Sequence, residues 1–259
     1  MADQDIRVAR FFREHLTAAM IMTDLDFDLD GMNTVDEGIE YLSAARYDIA
    51  ILRVDDSHKY VELRALKQCA EHGDGGSQVL RTRAKPFPST RIVSSDLPIR
   101  SVASKLSEND FPLLVAGREG PEFILTRSDF SSPAGVAAAL LLAALVDSLL
   151  DTKLQRFDPE SVLVTLDKET TVAIQACFEE KKLWEEDLNI LSLLHFDARL
   201  ISFNSLHDPV CKTAETAWLV ARRNDLAHGR HEKLKGEDLL RFVIEMDSIF
   251  IKLSDQSTT

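Results

Sequence analysis

Cysteine is scarce in this chain: 259 residues hold three, Cys69, Cys177 and Cys211. They are odd in number, far apart and without metal-ligand spacing, which points to a reducing compartment. Positive charge is also short. Lys and Arg number 30 against 43 Asp and Glu, a net charge of -13. That balance argues against broad, non-specific nucleic-acid binding and leaves room for a local basic site. No export leader is expected, because Asp3, Asp5, Arg7, Arg10, Arg13 and Glu14 interrupt the first fifteen residues. The most apolar run is Val136–Val146, followed by Asp147. As a helix it spans about 16 Å, too short for a bilayer, so it is expected as a buried helix of a cytoplasmic protein with no membrane segment. At 45% hydrophobic the chain can bury a core, and its length fits one large domain or two modest ones.

The first half carries a weak internal repeat. A shift of 64 residues lays Val35–Leu66 on Ile99–Phe130, matching Leu42 with Leu106, Tyr47 with Phe111, Ile51 with Val115 and Leu66 with Phe130. Each copy reads as a helix (Val35–Arg46; Ile99–Glu108), an apolar strand (Asp48–Val54; Phe111–Ala116), a polar turn, a second strand and a closing helix. The segment Glu71–Thr90, with Gly73, Gly75, Gly76, Pro86 and Pro88, reads as the linker between them.

The stretch IMTDLDFDLDGMNTVDEGIEYL resembles the opening of a CBS domain, and FPLLVAGREGPEFILTRSDF resembles the closing half of one. Two copies, about 16–70 and 90–150, imply a CBS pair, or Bateman module, over residues 8–150. The sharpest match is Thr126-Arg127-Ser128-Asp129. The resemblance implies that Asp129 accepts the ribose hydroxyls of an adenine nucleotide (AMP, ADP, ATP or a relative) as a regulatory ligand, with Thr126 near ribose or phosphate. The chemistry suits a carboxylate and a helix-start hydroxyl beside exposed N–H groups. The competing reading is an N-cap, with Ser128 or Asp129 simply starting a helix. In the first copy Glu62 and Ala65 take these positions, so one full site is expected rather than two.

A second pattern overlaps the first copy. Asp26, Asp28, Asp30, Gly31 and Glu37 satisfy the spacing of an EF-hand calcium loop. Phe27, Leu29 and Met32 sit between the would-be ligands, and only one copy exists. An acidic, solvated face is the better reading, and no metal is expected.

The second half reads as amphipathic helices at Leu166–Trp184, Leu188–Ile201, Ala214–Leu226 and Glu237–Leu253. Thr213 or Thr216 is placed to cap the third, and Gly229 to end it. Four such helices make a bundle, so the fold class expected is α+β, a tandem CBS-like α/β module followed by an all-α bundle. The third helix closes with Arg222-Arg223-Asn224-Asp225-Leu226-Ala227-His228-Gly229. This resembles the HEPN family over about 166–255, with Arg223, Asn224 and His228 on its signature. Arg222, Arg223, Arg230, Lys233 and Lys235 make the stretch locally basic. The alternative is a pair of cations complementing the helix dipole. The same Arg-x4-His spacing occurs at Arg10–His15 and Arg53–His58, and only the third was expected at the end of a bundle helix.

The resemblances together imply a nucleotide-regulated, metal-independent endoribonuclease acting as a homodimer on RNA, in the manner of stress-response, toxin or antiviral-defence proteins. The alternative is a non-catalytic sensor whose helical bundle dimerises or docks a partner protein. Trp218, one turn before the motif, reads as core packing rather than a base-stacking platform.

Overall fold

Strand pairing organises the first part of the chain and helix packing the rest. The computed structural model describes residues 2–24, 34–54, 57–72, 80–108, 111–117, 120–184, 188–207, 209–230 and 234–255. In chain order the elements are α1 (Ala2–Glu14), β1 (Thr23–Asp24), α2 (Val35–Ala45), β2 (Ile49–Val54), β3 (Ser57–Glu62), α3 (Leu63–Glu71), α4 (Leu80–Arg83), β4 (Lys85–Pro86), β5 (Ile92–Ser94) and α5 (Ile99–Glu108). Then come β6 (Leu113–Ala116), β7 (Pro121–Leu125), α6 (Pro133–Leu154), α7 (Pro159–Leu163), α8 (Lys168–Lys182), α9 (Phe196–Leu206), α10 (Thr213–Ala227) and α11 (Gly236–Asp255). Every described strand precedes Thr126 and every described element after it is helical, so the fold is α+β with a helical C-terminal region. The chain divides into two compact units. One is Met22–Ser95 with Pro112–Leu125; the other is Met1–Ile21, Asp96–Phe111 and Thr126–Thr259.

The strand-bearing unit holds two sheets. One has the order β1-β7-β6-β5, with β5 and β6 parallel and the other pairs antiparallel. The second, β2-β3-β4, is antiparallel throughout. Helix α2 begins with a capping box: Glu37 N–H donates to Thr34 Oγ1 at 3.3 Å, and Thr34 N–H donates to Glu37 Oε2 at 3.0 Å. Its apolar face joins β2 and β3 in a core of Val35, Leu42, Leu52, Val54, Val61, Leu66 and Leu80. Leu80 comes from the segment expected to be a linker. The described part of that segment from Leu80 onward belongs to the fold, because Leu80 is fully buried and β4 adds a third strand to β3. Pro86 sits on that edge strand, where a missing donor is tolerated. The calcium-loop residues Asp26, Asp28, Asp30 and Gly31 lie outside the described residues. Glu37 is committed to the cap of α2.

The other unit is assembled on α6. Ser132 caps this helix by accepting the Gly135 N–H at 3.2 Å, and Pro133 occupies the first turn, where its missing donor costs nothing. The apolar run read from the sequence is only the middle of it. The helix has 22 residues, about 33 Å, which by length and composition alone would cross a membrane. Burial distinguishes it: 56% of its most apolar stretch lies inside the protein, packed by α1, α9, α10 and α11. Helix α8, expected in the bundle, buries only Ile174 and packs on the 3-10 turn Ile190–Leu193. That turn, and the extended His195, break the expected helix Leu188–Ile201, and α9 starts at Phe196. The amphipathic helix read at Glu237–Leu253 is α11, with Leu239, Leu240, Val243, Ile249, Phe250 and Leu253 buried and Ile244 half-buried.

One charged cluster is buried with that stripe. Asp247 on α11 accepts two bonds from Arg13 of α1, one at 3.0 Å to Nη2, and stands 3.3 Å from Arg100 Nη1 of α5. The Asp247 side chain is 4% exposed. Its hydrogen bonds raise the Arg13 pKa, against the opposing effect of burial. Losing the carboxylate charge leaves two guanidinium groups competing for water at a packed interface. Asp247→Asn is expected to cost about 2 kcal/mol of stability, read as a lower urea midpoint with an unchanged slope.

Candidate functional site

The turn Thr126-Arg127-Ser128-Asp129 follows β7 directly and forms the start of a 3-10 helix, Arg127–Ser131. Asp129 Oδ2 accepts the Thr126 N–H at 2.6 Å and the Thr126 hydroxyl at 2.7 Å. The Thr126 and Ser128 hydroxyls are 2.6 Å apart. Thr126 and Asp129 are therefore brought together, and one carboxylate oxygen organises the turn. Helix α6 presses on it from one side. A Cβ on Gly135 would stand 2.4 Å from the Asp129 carbonyl oxygen and 2.5 Å from Phe130 Cα, so glycine permits this approach. Helix α11 closes the other side, where a Cβ on Gly236 would stand 2.4 Å from the Arg127 carbonyl oxygen. Arg127 Nε donates to Leu106 O at 2.9 Å, in the last turn of α5, and Nη1 bonds Glu237 Oε1 at 2.9 Å. A groove of about 440 Å³ opens beside Arg127, with Arg241 and Glu245 on its wall.

The end of α10 is built differently. Helix α10 opens at Thr213 after Lys212, whose N–H donates to Glu215 Oε2 at 3.2 Å; the Thr216 hydroxyl bonds back to Lys212 O instead of capping. The helix closes on Gly229, whose φ of +68° is left-handed. Gly229 N–H donates to Leu226 O at 3.1 Å and Arg230 N–H to Asp225 O at 2.8 Å, a Schellman motif. His228 is the last residue before that turn and is exposed. Its N–H bonds Asn224 O at 3.0 Å. Arg223 Nη1 donates to Asn224 Oδ1 at 3.3 Å, and its guanidinium lies 5.8 Å from the Phe196 ring centre. Arg223, Asn224 and His228 thus share the final turn of one helix.

The basic stretch is less bare than its sequence suggests. Arg222 meets Asp225 at 3.4 Å and Asp238 at 3.7 Å, and Arg230 meets Asp225 at 3.3 Å. Arg223 Nη2 is 4.0 Å from Asp147 Oδ2. Trp218 is half-buried against Phe242, with Arg241 over its ring at 4.3 Å, in keeping with packing rather than an open stacking face. The other two Arg-x4-His pairs are occupied. Arg10–His15 also lies at a helix end, that of α1, but Arg10 bonds Ser254 O and His15 bonds Phe11 O. Arg53 and His58 are directly opposed across the β2–β3 hairpin.

Between α6 and α10 runs an open groove of about 480 Å³ that sequence reasoning missed. On its wall Arg199 bonds Asp147 at 2.8 Å and Asp151 at 3.1 Å, with Arg223 beyond. Burial raises the Asp151 carboxyl pKa; Arg199 opposes this and Asp147 adds to it. A carboxyl with a raised folded-state pKa favours the native state below its unfolded pKa, and that contribution is lost as pH rises through the folded value. Asp151→Asn is therefore expected to flatten the decline in stability from about pH 4 upward, so the melting temperatures of parent and variant diverge in the variant's favour toward neutrality. A further groove, of about 930 Å³, touches neither motif; Ile201, Cys211, Thr216 and Lys252 are among its lining. Among the described residues no His, Cys, Asp and Glu cluster is arranged to hold a metal.

The sequence matches no protein family and no curated protein. Solved structures similar to it include the CBS domain pair of protein MJ0100 in complex with 5′-methylthioadenosine and S-adenosyl-L-methionine. The identity is 12% over 44% of this chain and 96% of that one, with a TM-score of 0.36. CBSX2 in complex with AMP is 21% identical over 47% of this chain and 95% of its own, with a TM-score of 0.36. The hexameric CBS-CP12 protein from bloom-forming cyanobacteria is 18% identical over 51% and 82%, with a TM-score of 0.35.

Proposed function

We propose that the chain is an adenine-nucleotide-controlled, metal-independent endoribonuclease of the cytoplasm. A tandem CBS-like module, residues 8–150, takes AMP, ADP, ATP or a relative at Thr126 and Asp129. A HEPN-like region, 166–255, cuts RNA with Arg223, Asn224 and His228 and works as a homodimer. The observation that carries the catalytic part is the end of α10: an exposed histidine held by a Schellman turn, one helical turn from an arginine and an asparagine. The chemistry needs a group that moves protons near neutrality and a fixed positive charge. The RNA 2′-hydroxyl loses a proton as it attacks, and the leaving 5′-oxygen gains one; histidine suits either transfer. Arg223 meets the phosphate as negative charge builds, and Asn224 orients Arg223 through its side-chain oxygen. Two protomers supply two histidines, one per transfer.

A second reading has its own support. Arg222, Arg223 and Arg230 each face a carboxylate, which favours a non-catalytic sensor whose helices dimerise or dock a partner. Incubating the purified protein with total RNA in EDTA separates the two. Fragments ending in 2′,3′-cyclic phosphate support the ribonuclease. Intact RNA alongside calorimetrically detected AMP binding supports the sensor.

A further inference from the structure

We propose that Asp225 is the positioning residue that sets the direction of His228. The inference rests on the reading of this helix end as an RNA-cleaving site. Asp225 holds Arg230 twice, through its carbonyl oxygen to the Arg230 N–H at 2.8 Å and through Oδ1 to Arg230 Nε at 3.3 Å. Between these fixed points lie only Leu226, Ala227, His228 and the left-handed Gly229. Leu226 is buried and anchors the inner side of that turn, while its outer side is bare: a Cβ placed on Gly229 would meet no atom within 4 Å. The His228 ring likewise has no hydrogen-bond partner among the described residues. On that outer side no side-chain hydrogen bond sets its orientation. The backbone bonds and the Asp225 carboxylate are what remain to hold it.

The same carboxylate reaches the opposite way, to Arg222 Nη1 at 3.4 Å, and Arg222 continues to Asp238 in the first turn of α11. Asp225 is 21% exposed, so these pairs are only partly screened by water. One residue thus occupies two guanidinium groups that an RNA phosphate would otherwise attract. The two roles have opposite kinetic signatures. Removing the charge frees Arg222 and Arg230 to bind phosphate, which lowers KM. It also loosens the turn that carries His228, which lowers kcat.

The test uses the full-length chain carrying Asp225→Asn, with Arg230→Gln as an independent route to the same loss. Hydrogen exchange at the Gly229 and Arg230 amides is expected to rise about fivefold in both variants, with α6 unchanged. On RNA, Asp225→Asn should lower kcat about fivefold without raising KM, and the double variant should fall no further than the lower single. A merely structural role would lower activity without this split. Unchanged exchange at Gly229 and Arg230 overturns the proposal, as does a kcat equal to the parent's. If the parent cuts no RNA, the ribonuclease reading falls, while the exchange measurement still decides whether Asp225 holds the turn.

Discussion

His228→Ala is expected to reduce RNA cleavage at least a hundredfold, the scale of a lost general acid or base. Stability should be nearly unchanged, because the residue is exposed at a helix end. Arg223→Ala should approach the same loss through the phosphate rather than the proton. Its stability cost is also small, since the Asp147 contact is at 4.0 Å and the side chain is 34% exposed. Arg53→Ala is the control: it carries the same spacing on a hairpin, opposite His58, and should leave cleavage intact. Initial rates on a defined RNA check all three. Undiminished cleavage by His228→Ala would mean that the site lies elsewhere, with the wide groove of α9 and α10 the next place to look.

Replacing Asp129 should weaken adenine-nucleotide binding about ten- to hundredfold, the worth of a charge-assisted hydrogen bond to ribose. The geometry dictates which replacement is informative. Asp129 Oδ2 also accepts the Thr126 N–H and hydroxyl, so Asp129→Ala removes a cap as well as a ligand contact and costs about 1 kcal/mol of stability. Asp129→Asn keeps an oxygen for Thr126 and isolates the ligand term. Calorimetry with AMP on parent and Asn variant gives the comparison, with one site per chain expected because Glu62 and Ala65 stand in the first copy. Equal affinities would leave the turn as a cap alone.

Local signals were the readable ones. The amphipathic face of α11 and the end of α10 at Gly229 depend on residues within one or a few helical turns, and both were plain in the sequence. The hairpins β2–β3 and β6–β7 follow from runs long enough to show a period. Strands β1 and β4, of two residues each, are too short to carry one. Leu80 was hidden because the glycines and prolines around it signal a linker, whereas its burial depends on α2 and α3. The electrostatic surroundings of the candidate sites were out of reach for the same reason. Arg13 and Asp247 lie 234 residues apart, and nothing near Arg223 in the sequence announces Asp147. At Thr126–Asp129 the sequence allowed a ribose site or an N-cap at Ser128 or Asp129; in the structure Thr126 is the N-cap and Asp129 Oδ2 bonds back to its N–H.

Both proposed sites touch the start of α11. Arg127 of the turn bonds Glu237, and Arg222 at the end of α10 reaches Asp238, the next residue. The most direct measurement is the initial rate of RNA cleavage by the full-length chain in EDTA, with and without saturating AMP or ATP. The account predicts cleavage without metal and a nucleotide-dependent change in rate of about five- to 150-fold, the range of a 1–3 kcal/mol coupling. RNA left intact under every condition, or cut at one rate whether or not nucleotide is bound, would contradict it.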